Sequence, residues 1–181
     1  MYKGDDRMES AQYLENLLGS YTGAFDVERP YEIGGKIFDA YGYFYSMSEK
    51  YVLVEKANLW TTKTYEHVLF LCKDELTLED LQETEAMMRD HMDPELVCRG
   101  GKYPEKDHMM TFLSIVFLIK KEPDEETLKA LKKFKFVRNY LFTVRGRSEA
   151  HLAAVNTESG AVYTNRAADY MQEVFLQAFN A

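Results

Sequence analysis

Residues 68–81 read VLFLCKDELTLEDL, and residues 115–128 read IVFLIKKEPDEETL. Laid over one another at an offset of 47, without gaps, they agree at six of fourteen positions: Phe70/Phe117, Leu71/Leu118, Lys73/Lys120, Glu75/Glu122, Glu79/Glu126 and Leu81/Leu128. Each begins with a short apolar run, as a buried strand does, and ends on acids ahead of helically spaced leucines. Thr77, with Asp80 three residues on, and Asp124 are the N-caps this pattern predicts. The agreement favours structural repetition over two unrelated joints between a strand and a helix.

Working outward, the same plan recurs more weakly. RGGKYPEKDHMM at 99–110 resembles RGRSEAHLA at 145–153: Arg-Gly, a polar stretch, an acid, a histidine and a returning apolar run. Read as hairpin tips, these stretches divide the chain into three hairpin–helix units, at 50–93, 94–134 and 135–181. A helix over 6–19 precedes them, carried by Met8, Ala11, Leu14 and Leu18 at i, i+3, i+4 spacing, with Gly19 as its stop. Lys36–Met47 and Lys50–Trp60 read as a pair of strands, in which Tyr41, Tyr43 and Tyr45 alternate and so share one face. DPELVCRGG at 93–101 and KFVRNYLFTVRG at 135–146 read as extended. HMMTFLSIVFLIKK at 108–121 is apolar enough to sit mid-sheet. The fold class that follows is α+β: a single domain over 1–181, with a largely antiparallel sheet and helices mainly on one face.

Composition limits what such a domain does. The chain has 181 residues, 46% hydrophobic and 14% aromatic, with a net charge of −8. Asp74–Glu95 alone holds nine acids and one arginine, which leaves the remainder neutral. That argues against general nucleic-acid binding, which needs positive charge facing phosphates. The basic run Lys129, Lys132, Lys133, Lys135 and Arg138 is the one local patch suited to a phosphate or an acidic partner. Cys72 and Cys98 form neither a disulfide framework nor a CxxC motif, and read as buried reduced thiols. MYKGDDRMES lacks an apolar signal region, and Phe112–Ile119 is far short of the ~20 residues that span a bilayer. A cytoplasmic protein without membrane attachment is expected.

Three of the four histidines, His67, His108 and His151, follow closely on an acid: Glu66, Asp107 and Glu149. These residue types bind metals. Equivalent positions on alternate strands, however, lie about 10 Å apart, too far to share one ion without strong curvature. Arg145, Arg147, Glu149 and His151 form the only other cluster with catalytic residue types, and a polar turn accounts for their character equally well. P-loop, GxGxxG, HExxH and GxSxG signatures are absent. The function expected is a binding or regulatory module without catalysis and without a cofactor. Tyr41, Tyr43 and Tyr45 would contact a protein partner, a second copy or a small ligand, since tyrosine joins apolar area to a polar handle. The alternative is a metal-assisted hydrolase built on the acid–histidine tips.

Overall fold

The computed structural model describes residues 6–50 and 60–180. The chain runs α1 (Asp6–Tyr21), β1 (Asp26–Glu28), β2 (Tyr31–Ile33), β3 (Lys36–Phe38), β4 (Ala40–Lys50), β5 (Trp60–Cys72), α2 (Leu78–Met87), β6 (His108–Ile119), α3 (Glu125–Lys133), β7 (Val137–Asn139), β8 (Arg147–Asn156), β9 (Val162–Thr164) and α4 (Gln172–Phe179). A π-helical segment, Met88–Val97, continues α2, and a 3-10 segment, Arg166–Met171, leads into α4. Of the strand expected over 50–60, residues 51–59 lie outside the described residues.

The repeated stretches are structurally equivalent, though not as expected. Thr77 caps α2, its hydroxyl accepting from Asp80 N while the Asp80 carboxylate accepts from Thr77 N. Asp124 caps α3, accepting from Thr127 N at 2.7 Å. The strands feeding these helices, β5 and β6, are parallel neighbours. What repeats is therefore a strand and a helix, not a hairpin and a helix. The π-helical segment occupies 93–97, where an extended return strand was expected. The chain thus crosses back over the sheet as a helix, and a helical crossover is what parallel pairing requires.

The sheet is accordingly mixed rather than largely antiparallel. Its order is β1-β4-β5-β6-β8-β7, with β9 also on β8. β5/β6 and β6/β8 are parallel, whereas β1/β4, β4/β5, β7/β8 and β8/β9 are antiparallel. β6, flanked on both sides by parallel strands, is almost wholly buried beyond its first turn of chain, as its composition requires.

Helices cover both faces, not mainly one. On the first face Leu69, Ile115, Phe117 and Leu152 pack with Leu81 of α2, Met88 and Met92 of the π-helical segment and Leu131 of α3. On the second, Val68, Phe70, Val116, Leu118 and Val155 pack with Leu14, Leu17 and Leu18 of α1 and Phe175 of α4. Strand alternation explains the division: Leu69 points one way, Val68 and Phe70 the other. The result is one α+β domain with its sheet between two helical layers.

Two local differences shape the approach to β8. Residues 135–146 are not one strand: only Val137–Asn139 pairs, and Leu141, Phe142 and Thr143 take left-handed backbone angles (φ 47°, 52° and 72°). Gly146, at φ +72°, then passes so close to β6 that a Cβ there would lie 2.4 Å from the Met109 carbonyl oxygen. RGRSEAH is thus the start of β8 behind a tight turn.

Candidate functional site

Period-two alternation builds one wall of a cleft at the sheet edge. Across β1, β4 and β5, Asp26 pairs with Tyr43 and Tyr43 with His67, while Glu28 pairs with Tyr41. These side chains share the face that carries the π-helical segment, whose end supplies Glu95 and Leu96, with Arg99 just beyond. Together with Val27 they line a cleft of about 570 Å³. Pockets of 300–1,000 Å³ suit small organic ligands.

Its floor is aromatic. Tyr31 stacks on Tyr41 with ring centres 4.1 Å apart, and Tyr41 on His67 at 5.9 Å. The Tyr43 ring lies 5.2 Å from the imidazole. His67 is 3% exposed. The Tyr41 hydroxyl meets its Nδ1 at 2.7 Å. Its Nε2 is the only buried side-chain nitrogen or oxygen among the described residues with no hydrogen-bond partner. Leaving such an atom unpaired costs about 1–3 kcal/mol. Burial, with Arg99 adding repulsion, pushes the His67 pKa down to about 4, so the imidazole is neutral near pH 7. Burial raises the Tyr41 phenol well above its ordinary range, and Tyr31, Tyr43 and Glu28 add to the effect.

The other expected residues are dispersed. Tyr45, 42% exposed, continues the tyrosine row outward, 5.1 Å from the Tyr65 ring. His108 is held by structure: its Nδ1 donates to the Arg145 carbonyl at 2.7 Å, and its Nε2 meets Thr111 Oγ1 at 2.7 Å. Burial lowers its pKa, which leaves Nε2 as acceptor for the threonine hydroxyl. His151 lies on the opposite face from His67, because the β5–β6–β8 register aligns His67 with Leu113 and Ala150. There His151 stacks on Phe112 at 4.7 Å and its Nδ1 meets the Tyr170 hydroxyl at 3.1 Å. Burial pushes its pKa down to about 4. Beside it, Ser114 Oγ donates to Glu66 at 3.2 Å, and burial raises the Glu66 carboxyl above its ordinary value. Arg147 pairs with Glu149 at 3.4 Å, and Arg145 reaches the Pro104 carbonyl. The three histidines therefore do not converge, and no three His, Cys, Asp or Glu side chains among the described residues form a metal-ligating group. The basic run is also divided: Lys129 pairs with Glu125, whereas Arg138 turns inward to Asp93.

Asp93 is the residue the sequence reading missed. It is fully buried and accepts from Arg138 Nη1 (2.6 Å), Ser148 Oγ (3.2 Å) and the Tyr140 hydroxyl. With all these donors it locks the π-helical segment, and so Glu95, Leu96 and Arg99, onto β7 and β8. Asp26 and Glu28 were also missed; their signal was the alternation in DVE, too short to stand out. The extended reading of 93–101 hides the side of the chain that Glu95 and Arg99 share.

The family model described as Domain of unknown function (DUF8052) matches residues 9–177. No curated protein and no solved structure matches the chain.

Proposed function

The chain belongs to that family, and from its cleft we propose a protein that binds a small organic ligand and performs no chemistry on it. The observation that carries this reading is His67: a neutral imidazole beside the Tyr41 and Tyr43 rings, with one nitrogen held by Tyr41 and the other unpartnered. A ligand polar group that displaces the groups covering Nε2 completes its hydrogen bonding and removes the cost of the bare nitrogen. The same geometry favours recognition over proton transfer. A general base works best with a pKa near the operating pH, and burial moves His67 to about 4 and Tyr41 upward, both away from it. Tyr45, exposed at the outer end of the row, is where a protein partner or second copy would reach the occupied cleft. A cytoplasmic location, with Cys72 and Cys98 reduced, belongs to the same proposal.

Native mass spectrometry of the protein purified gently from its own cells tests it. A non-covalent adduct of small-molecule mass is expected, absent from Tyr43→Ala and His67→Leu proteins that remain folded by circular dichroism. An adduct retained by both variants would place the ligand elsewhere. Bare protein, with no response of cleft resonances to a fragment library, would end the proposal.

A further inference from the structure

We infer that the ligand of this cleft is an organic cation, a methylated ammonium on a short polar chain. This rests on the binding role proposed above and names the chemistry the cleft selects. Three carboxylates face it, Asp26 and Glu28 from β1 and Glu95 from the π-helical segment; β4 and β5 add no charge. Glu95 meets His91 Nδ1 at 2.9 Å. Among the described residues neither Asp26 nor Glu28 has a cation within ion-pair distance, whereas the one cation of the cleft is engaged. Arg99 Nη1 donates to Glu105 Oε1 at 3.1 Å, and its guanidinium lies 5.3 Å over the Tyr65 ring. The unmatched charge of the cleft is negative, and it lies along β1.

The walls select the kind of cation. Tyr41 and Tyr43 offer neutral phenol rings, whose negative faces attract ammonium groups. Tyr31, stacked behind Tyr41 at 4.1 Å, holds that ring in place before a ligand arrives. Val27 and Leu96 add hydrocarbon. A bare metal ion gains little from ring faces and aliphatic carbon, while a bulky, weakly hydrated ammonium gains from both. His67 also lines the cleft, with its Nε2 covered in this structure. A ligand hydroxyl reaches that nitrogen once the groups over it shift, and satisfies it whichever nitrogen carries the proton, since a hydroxyl both donates and accepts.

Three probes of one shape and different charge test this: choline, its neutral carbon isostere 3,3-dimethylbutan-1-ol, and 3,3-dimethylbutanoate. Each is titrated into ¹⁵N-labelled protein. Choline is expected to bind at least about tenfold more tightly than the alcohol, a factor that one cation–π contact and one carboxylate supply. It should move the resonances of Tyr41, Tyr43 and His67, and weaken as salt rises from low to physiological levels. The double variant Asp26→Asn, Glu28→Gln, both on an exposed strand, should lose about that tenfold for choline and keep its affinity for the alcohol. Equal binding of choline and alcohol, or preference for the carboxylate, overturns the cation and leaves the cleft as a binding site. If none of the three binds while the native adduct maps to Tyr43, the cation is likewise overturned. If none binds and no adduct exists, the binding role falls with it.

Discussion

His67 and Asp93 are both buried polar residues, and they differ in what surrounds them. Asp93 has its acceptors filled by Arg138, Tyr140 and Ser148; His67 keeps one nitrogen bare. The first pattern is that of a structural anchor, and the second is the one on which the proposed binding site rests. Asp93→Asn exchanges acceptor oxygen for an N–H donor among groups that are themselves donors. It should destabilise by about 2–4 kcal/mol, since it leaves buried groups unpaired and breaks a charge-assisted bond. Urea unfolding reads this directly; a loss below about 0.5 kcal/mol, the range of neutral surface changes, would show that the network does not hold the fold. The histidine half of the contrast was partly legible in the sequence. YGYFY and YEH alternate, so Tyr41 and Tyr43 fall with His67 on one face once β4 and β5 pair. The aspartate half was not, because its donors lie 45 to 55 positions further along the chain.

At the scale of elements, two segments departed from their sequence pattern for identifiable reasons. Pro94 argues for a break in any helix reading, yet the wider π turn carries the chain past it: Cys98 N bonds to Asp93 O, five residues back, and Pro94 has no N–H to lose. KFVRNYLFTVRG has strand composition, but the chain turns left-handed at Leu141–Thr143, with Phe142 99% exposed. The turn is closed by Val144 N to Leu141 O and Arg145 N to Tyr140 O. A β-branched residue in that conformation carries a cost of about 1–2 kcal/mol. Thr143→Gly should therefore raise stability by about 1 kcal/mol despite the freer unfolded chain, read as a higher urea midpoint with unchanged slope. Gly146→Ala should do the reverse. The left-handed angle alone costs about 1–2 kcal/mol. The 2.4 Å approach to Met109 O adds more, because the obstacle is backbone and cannot swing aside. A Gly146→Ala protein as stable as the parent would mean that the turn re-forms around the methyl group. The strand–helix repeat, by contrast, was legible because both its signals are local: an apolar run and, a few residues on, a capping side chain.

Across the whole molecule, the two-sided burial of the sheet sets how the protein meets acid. Local patterning showed which residues alternate, but not that helices would cover both sides, since that depends on a crossover disguised by Pro94. With both faces covered, His67 lies under one layer and His151 under the other, each with its pKa held down to about 4 by burial, and His108 is lowered as well. Unfolding exposes all three and returns them toward an ordinary value near 6.5. Between these limits the unfolded chain binds more protons than the folded one, so stability rises with pH there and is lost as pH falls from about 6.5 toward 4. At 1.36 kcal/mol per unit, each of the two more deeply shifted imidazoles accounts for about 3 kcal/mol over that window, a large share of a typical 5–15 kcal/mol total. Glu66 acts in the opposite sense, because its raised carboxyl takes up a proton more readily folded than unfolded, and it offsets part of the loss. The urea midpoint should thus fall steadily below pH 6.5, and a His67→Gln, His151→Gln double variant should show a visibly flatter dependence down to pH 4. If the double variant kept the parent's slope, acid sensitivity would belong to the surface carboxylates rather than to the two buried rings. The single variants separate the layers: each should remove about half of the difference, since the two histidines lie on opposite sides of the sheet and share no partner.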